Sequence, residues 1–155
     1  MTEMASAAFG QYAHSNQPVH HVLHLYACAG RPDRTRHWTH RVMNELYSDR
    51  PDGLSGDEDN GEMSAWYVWN ALGLFPLNPA EPAYVVSAPL FPHATVKAPG
   101  RSPLEVIAGS RRPVRAGCAV LSAECSLLEH RVLTDEAIKV LWHRTERGTP
   151  PPAVT

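Results

Sequence analysis

Long apolar runs are missing: nothing in this 155-residue chain approaches the roughly 18 consecutive apolar residues of a membrane-spanning helix. Cysteine is scarce. Cys28, Cys118 and Cys125 are the three present, an odd number that cannot be fully paired within one chain, at spacings that suit no zinc knuckle. A disulfide framework is therefore not expected. A charge surplus of either sign is also lacking. The formal net charge is −2, so no general field draws nucleic acid or an anionic membrane, and neither is expected as a partner. The start, MTEMASAAFGQYAHS, has no basic opening and no long apolar run, and does not read as a signal peptide. Nucleophile elbow, phosphate loop, dinucleotide fingerprint and internal repeat are all absent from the sequence.

What is present is a globular composition, 43% hydrophobic, at a length that suits one domain with a sizeable core. Fourteen prolines, most of them after position 75, argue against a helical second half. Ser15 or Asn16 can cap a helix that tolerates Pro18 in its first turn, runs from about Val19 to Cys28 and closes at Gly30. A second helix is predicted from near Asp33. Trp38, Val42 and Leu46 mark its apolar face, and Thr35, Arg36, Arg41 and Asn44 its exposed side. A third is predicted over about Glu62–Leu72, closed by Gly73 and stopped by Pro76.

Beyond Pro79 the runs Tyr84–Val86, Ala94–Val96, Leu104–Ile107 and Ala119–Leu121 are short and β-prone, as in a sandwich. Residues 126–147 are read as one more helix, with Ala137, Ile138, Val140 and Leu141 inside it. The proline-rich residues 148–155 read as a disordered tail.

Chemistry concentrates between Gly53 and Phe75, where an acidic turn runs into an aromatic-rich helix. Asp57 and Asp59, with Glu58 between them, can act as a carboxylate pair that activates water. They can also offer oxygen ligands to a hard cation. The plainer reading has Asp59 capping the third helix in a box with Glu62, while Asp57 and Glu58 favour its positive end. An EF-hand loop is excluded, because its twelfth position is Val68 rather than a bidentate Glu.

Asn16 and Gln17 place side-chain carbonyl oxygens where calcium or sugar hydroxyls could bind. His20 and His24 have metal-ligand spacing but lack the accompanying Glu, and satisfied buried histidines are the favoured reading. Trp66 is expected in the core, and Trp69, on another face, is left between core and sugar-facing roles.

The run Asp52-Gly53-Leu54-x-Gly56-Asp57-Glu58-Asp59-x-Gly61-x-Met63-Ser64-Ala65-Trp66-Tyr67-Val68, followed by Ala71-Leu72-Gly73-x-Phe75-Pro76, resembles the family 92 glycoside hydrolases, calcium-dependent α-mannosidases. Tyr12-x-His14-x-Asn16-Gln17-Pro18-x-His20-His21 upstream and Tyr84-Val85-x-x-x-Pro89-Leu90-Phe91 downstream match in the family's order. The resemblance covers roughly Phe9 to Thr95, over half the chain.

It implies an α+β chain made of the final helices of an (α/α)6 barrel, residues 1–78, followed by a β-rich, sandwich-like segment, 79–147. It implies calcium-dependent, inverting hydrolysis of α-linked mannose, with an α-mannoside or N-glycan as substrate. By position, Asp57 and Asp59 match the base pair, Asn16 and Gln17 the calcium and sugar site, and His14 a substrate-binding position. Gln17 departs from the pattern, since many members carry Glu there. The general acid lies upstream in the family, so a partial catalytic domain is expected, partnered by an N-terminal half. A non-catalytic carbohydrate- or calcium-binding remnant, or an inactive truncated chain, is the alternative. Family members are usually secreted or periplasmic.

Overall fold

A computed structural model describes residues 9–80, 83–97, 99–100, 103–108, 120–121, 127–129 and 139–142. The chain is α+β. Its helical part opens with two 3-10 turns, Gln17–Val19 and Val22–His24, and continues into the short helix α1, Leu25–Cys28. Helix α2 spans Pro32–Glu45 and α3 spans Glu62–Ala71.

The continuous helix expected over Val19–Cys28 is thus broken into three pieces. Two side chains account for the break. The buried His20 ring donates from Nε2 to the His14 carbonyl at 2.9 Å, and buried His24 donates from Nε2 to Asn70 Oδ1 at 2.9 Å. Both rings are anchored to groups outside their own turn, and the tighter winding brings them there. Gly30 follows α1 with φ of +75°, the left-handed closure that only glycine adopts without cost.

In α2, Pro32 occupies the first turn, where its missing N–H costs nothing. Val42 is fully buried, with Trp38 and Leu46 packed around the same cluster. Thr35, expected on the exposed side, is fully buried instead. Its hydroxyl donates to the Leu23 carbonyl at 2.9 Å and accepts from the Ala27 amide at 3.0 Å, riveting α2 to the turn before it. A polar residue with both hydrogen-bonding functions satisfied can sit in a core at little cost.

Helix α3 ends where expected. Gly73 takes φ of +73°, and its amide donates to the Asn70 carbonyl at 2.9 Å. The chain then turns directly into β1, Leu74–Phe75, which pairs antiparallel with β2, Ala83–Val86. The joint is stitched twice. Ser87 N–H donates to the Gly73 carbonyl at 2.7 Å, and Leu90 N–H donates to the Ala71 carbonyl at 2.9 Å. A Cβ on Gly73 would meet Pro89 N at 2.9 Å, so the close approach also requires glycine.

The remaining strands are β3, His93–Val96; β4, Leu104–Ala108; β5, Val120–Leu121; β6, Leu127–Glu129; and β7, Lys139–Trp142. They form one antiparallel sheet, in the order β1-β2-β6, and one mixed sheet, in the order β3-β4-β7-β5. β7 runs parallel to both β4 and β5. The helix expected over 126–147 is therefore corrected: Leu127–Glu129 and Lys139–Trp142, including Val140 and Leu141, are strands. Their partners β2 and β4 lie far away in sequence, and pairing with them overrides a weak local helical pattern. Ala137 and Ile138, and the tail 148–155, lie outside the described residues.

Two apolar clusters hold this together. One gathers Phe9, Leu23, Val42, Met43, Trp66 and Ala71 between the helices. The other joins Leu74, Tyr84 and Val86 of the first sheet to Val106 of the second, with Trp69 packed against it. Each fully buried aliphatic side chain here contributes roughly 1.5–3 kcal/mol. Trp69 is thereby a wall of this second cluster, its ring 5.1 Å from that of Tyr84.

Candidate active site

The acidic turn takes its shape from three consecutive left-handed residues: Asp59 at φ 53°, Asn60 at 58° and Gly61 at 95°. Asp and Asn tolerate this conformation better than other non-glycine residues. The winding reverses the chain so that Glu58, not Asp59, caps α3. Glu58 accepts from the Gly61 amide through Oε2 and from the Ser64 amide through Oε1 at 3.0 Å. The expected Asp59–Glu62 capping box is not formed: the helix begins after Gly61, without a side-chain bond from its capping residue. Hydrogen bonding to Ser64 holds the Glu58 carboxyl below its ordinary range, with the Gly61 amide helping. Asp57 and Asp59 are left exposed, with the cap already supplied by their neighbour.

The segment bearing Asn16 and Gln17 lies against this turn. Gln17 Nε2 donates to the Asp57 carbonyl at 3.0 Å. Gly56, at φ +112°, passes so close to Ser15 that a Cβ on it would meet Ser15 Cβ at 2.9 Å. Residues about 40 positions apart are therefore held side by side. Asn16 is exposed and Gln17 half-buried, so both amides stand at the surface next to the two aspartates.

Beneath them lies a layer of buried rings. His14 is 2% exposed. Its Nδ1 meets the Tyr12 hydroxyl at 2.8 Å and its Nε2 the Tyr47 hydroxyl at 2.7 Å. It stacks on His20 at 4.5 Å between ring centroids and meets Trp66 edge-on at 4.4 Å. Burial drives the His14 imidazole down to about 3, with His20 adding to the effect. Burial likewise lowers His20, and takes His24 to about 4. Burial raises the Tyr12 and Tyr47 hydroxyls well above their ordinary values. All five groups are neutral near pH 7.

The sequence profile of the glycosyl hydrolase family 92 catalytic domain matches residues 1–126. The chain belongs to glycosyl hydrolase family 92. A family GH92 α-mannosidase from Bacteroides thetaiotaomicron superposes on it with a TM-score of 0.74 at 27% identity, over 90% of this chain and 20% of that one. The same enzyme in complex with mannoimidazole gives 0.72 at 28% identity, over 85% of this chain and 18% of the other. A family GH92 inverting mannosidase from the same organism gives 0.68 at 34% identity, over 85% and 18%. An uncharacterized secreted glycosidase of Arthroderma benhamiae is 32% identical over 84 residues, which is 54% of this chain and 11% of that protein. The chain spans about a fifth of the length of the solved relatives and about a tenth of the curated one.

Within this family 92 chain, the structure brings Asp57, Asn16 and Gln17 together through the Gln17–Asp57 bond, with Asp59 two residues along the same turn. His14 does not join them at the surface. It lies beneath them, with both its ring nitrogens engaged by tyrosine hydroxyls. Sequence reasoning missed Tyr47 and the capping work of Glu58. Neither has a local signal. Tyr47 works through a partner 33 residues away, and Glu58 outreaches Asp59 only because the turn is left-handed.

His20 and His24 are both buried, each bonded through Nε2, while their Nδ1 atoms have no hydrogen-bond partner among the described residues. Among the described residues, no group of three or more His, Cys, Asp or Glu side chains is arranged to hold a metal ion. Calcium asks for oxygen donors rather than imidazole or thiolate. The Gln17 amide nitrogen is committed to Asp57, which leaves Oε1, together with the exposed Asn16 amide, as neutral oxygen donors beside acidic groups. The residues fit calcium in kind and provide part of the six to eight oxygens it typically takes.

Proposed function

We propose that this chain carries the base side of an inverting α-mannosidase active centre. The observation that supports it is the Gln17–Asp57 hydrogen bond, which sets an amide pair suited to sugar hydroxyls beside an exposed aspartate pair. In this reading Asp57 and Asp59 take the proton from a water that attacks the anomeric carbon, from the face opposite the leaving oxygen. Inversion needs the two carboxyl sites far enough apart to admit that water, roughly 6.5–9.5 Å. The acid that protonates the leaving oxygen therefore stands across the sugar, outside the acidic turn. It is assigned to a part of the enzyme beyond these 155 residues, consistent with the fifth of the solved relatives' length that the chain spans.

Asn16 and Gln17 would hold calcium through their amide oxygens, and the ion would supply positive charge that fixes two sugar hydroxyls and favours a flattened ring. The substrate is an α-linked mannose at the end of an N-glycan or other α-mannoside. Helices α1 to α3 are placed among the closing helices of an (α/α)6 barrel over residues 1–78, with the β-rich segment following over 79–147. The match of 85–90% of this chain to GH92 mannosidase structures supports that placement.

The test has two arms. The purified chain is assayed for release of mannose from α-mannobiose with calcium and with chelator, and no release is expected in either. In a complete family 92 enzyme carrying this segment, Asp57→Asn and Asp59→Asn each lower kcat by about 10²–10⁴-fold while the fold is kept. Near-parental rates in both variants would overturn the base assignment. Calcium-dependent stabilisation with no turnover even in the complete enzyme would favour a non-catalytic carbohydrate-binding role.

A further inference from the structure

The surface contact between Gln17 and Asp57 has a buried counterpart. Tyr47 O–H donates to the Met63 carbonyl at 3.1 Å, in the first turn of α3. A tyrosine hydroxyl has one proton, so towards His14 it must accept, and His14 Nε2 is the donor at 2.7 Å. A neutral imidazole then carries no proton on Nδ1, which accepts from the Tyr12 hydroxyl at 2.8 Å. The direction of every bond follows from the last acceptor, a backbone carbonyl. Met63 is in turn tied to the acidic turn, because its amide donates to the Glu58 carbonyl at 3.3 Å.

We infer that Tyr12, His14 and Tyr47 form a one-directional hydrogen-bond relay that positions the acidic turn against the Asn16–Gln17 segment. The relay and the Gln17–Asp57 bond join the same two stretches at two depths, one buried and one at the surface. A single bond would leave a hinge, whereas two separated attachments fix the tilt of the turn as well as its distance. His14 is the pivot. Its ring carries the relay, while its own carbonyl accepts from His20 Nε2, whose ring stacks on it. His20, Trp66 and the two tyrosines surround the imidazole, and among the described residues both its ring nitrogens are bonded to hydroxyls rather than to a carboxylate. His14 and Tyr47 are positioning residues, not catalytic ones. Their consequence for hydrolysis rests on the reading of Asp57 and Asp59 as the base pair, whereas the relay itself does not.

The test separates the two. In the 155-residue chain, nitrogen-15 spectra of the histidine rings should show the His14 proton on Nε2 and none on Nδ1. A proton on Nδ1 would overturn the relay without any variant being made. Tyr47→Phe removes one hydroxyl and keeps the ring stacked on Trp66. It should speed hydrogen exchange at the Gly61 and Ser64 amides by about fivefold, the effect of one lost hydrogen bond, and leave Ser87 N–H at the Gly73 joint unchanged. His14→Gln, which can keep a donor near the Nε2 position, should restore slow exchange relative to His14→Ala. Unchanged exchange at Gly61 and Ser64, or acceleration spread evenly over the chain, would refute a positioning role. Neither readout involves mannoside turnover, so failure of the glycosidase reading leaves this result intact, and the reverse also holds.

Discussion

Gln17 gives its side-chain N–H to the backbone carbonyl of Asp57 at 3.0 Å, which uses the nitrogen of the amide and spares its oxygen. Glutamate at this position cannot make that bond, because it has no donor. Gln17→Glu is therefore expected to do two opposed things. On the proposed calcium site it adds a negative ligand, and it should then tighten calcium binding, read as a larger rise in melting temperature at a given calcium concentration. It also removes the tie to Asp57, so without calcium the acidic turn should exchange its amides faster. Tighter calcium binding with no change in the calcium-free turn would show that the hydrogen bond does not restrain it.

Gly56→Ala is expected to part the two segments. The new methyl group would meet Ser15 Cβ at 2.9 Å, on a backbone with φ of +112°. Strain of this kind costs about 1–3 kcal/mol. The loss should appear in thermal stability. A variant as stable as the parent would mean that residues 15 and 56 do not meet as closely as described.

Two helix boundaries near the site were legible from single residues, Pro32 at the start of α2 and Gly73 at the end of α3, whereas the start of α3 was read from Asp59 and Glu62 rather than from Gly61. The acidic turn and the Asn16–Gln17 pair were legible as motifs. Their adjacency was not, because it depends on a side-chain to backbone bond spanning 40 residues. Asp59 looked like the cap because its spacing to Glu62 was right. The left-handed winding through Asp59 and Asn60, which hands the task to Glu58, has no sequence signature beyond a tolerance for Asp and Asn. Thr35 shows the same limit from another side: polarity predicted exposure, while its two backbone partners made burial possible. β6 and β7 were misread because strand pairing is decided by distant partners.

Glu58 should make the start of α3 sensitive to acid. Its folded carboxyl lies below the ordinary 4.5, so its contribution is present above that pH and lost as the pH falls through the lower folded value. Glu58→Gln should loosen the Gly61 and Ser64 amides at pH 7 and abolish the further loosening below about 4.5. Hydrogen exchange at these two amides as a function of pH checks this. An identical acid response in the variant would assign the effect to another group.

The buried histidines act in a different window. His14 titrates at about 3 and His24 at about 4 in the folded chain, while unfolded histidines take up protons below an ordinary 6.5. Between these values the unfolded chain binds more protons, so stability is greatest above pH 6.5 and falls as the pH drops towards 4. Thermal melts from pH 7.5 to 4 should show a steady decline that begins before any carboxylate is protonated. A flat profile over that range would mean that the rings are not buried neutral.

At the end of α3 the turn is closed locally by the Leu72 and Gly73 amides, but the Ala71 and Gly73 carbonyls find their partners, Leu90 and Ser87, only after β2 has come back across β1. The intervening loop is short, so bringing its ends together costs little entropy. Those two carbonyls are thus satisfied only by chain that emerges later in synthesis, which couples the helix end to the strand that follows it.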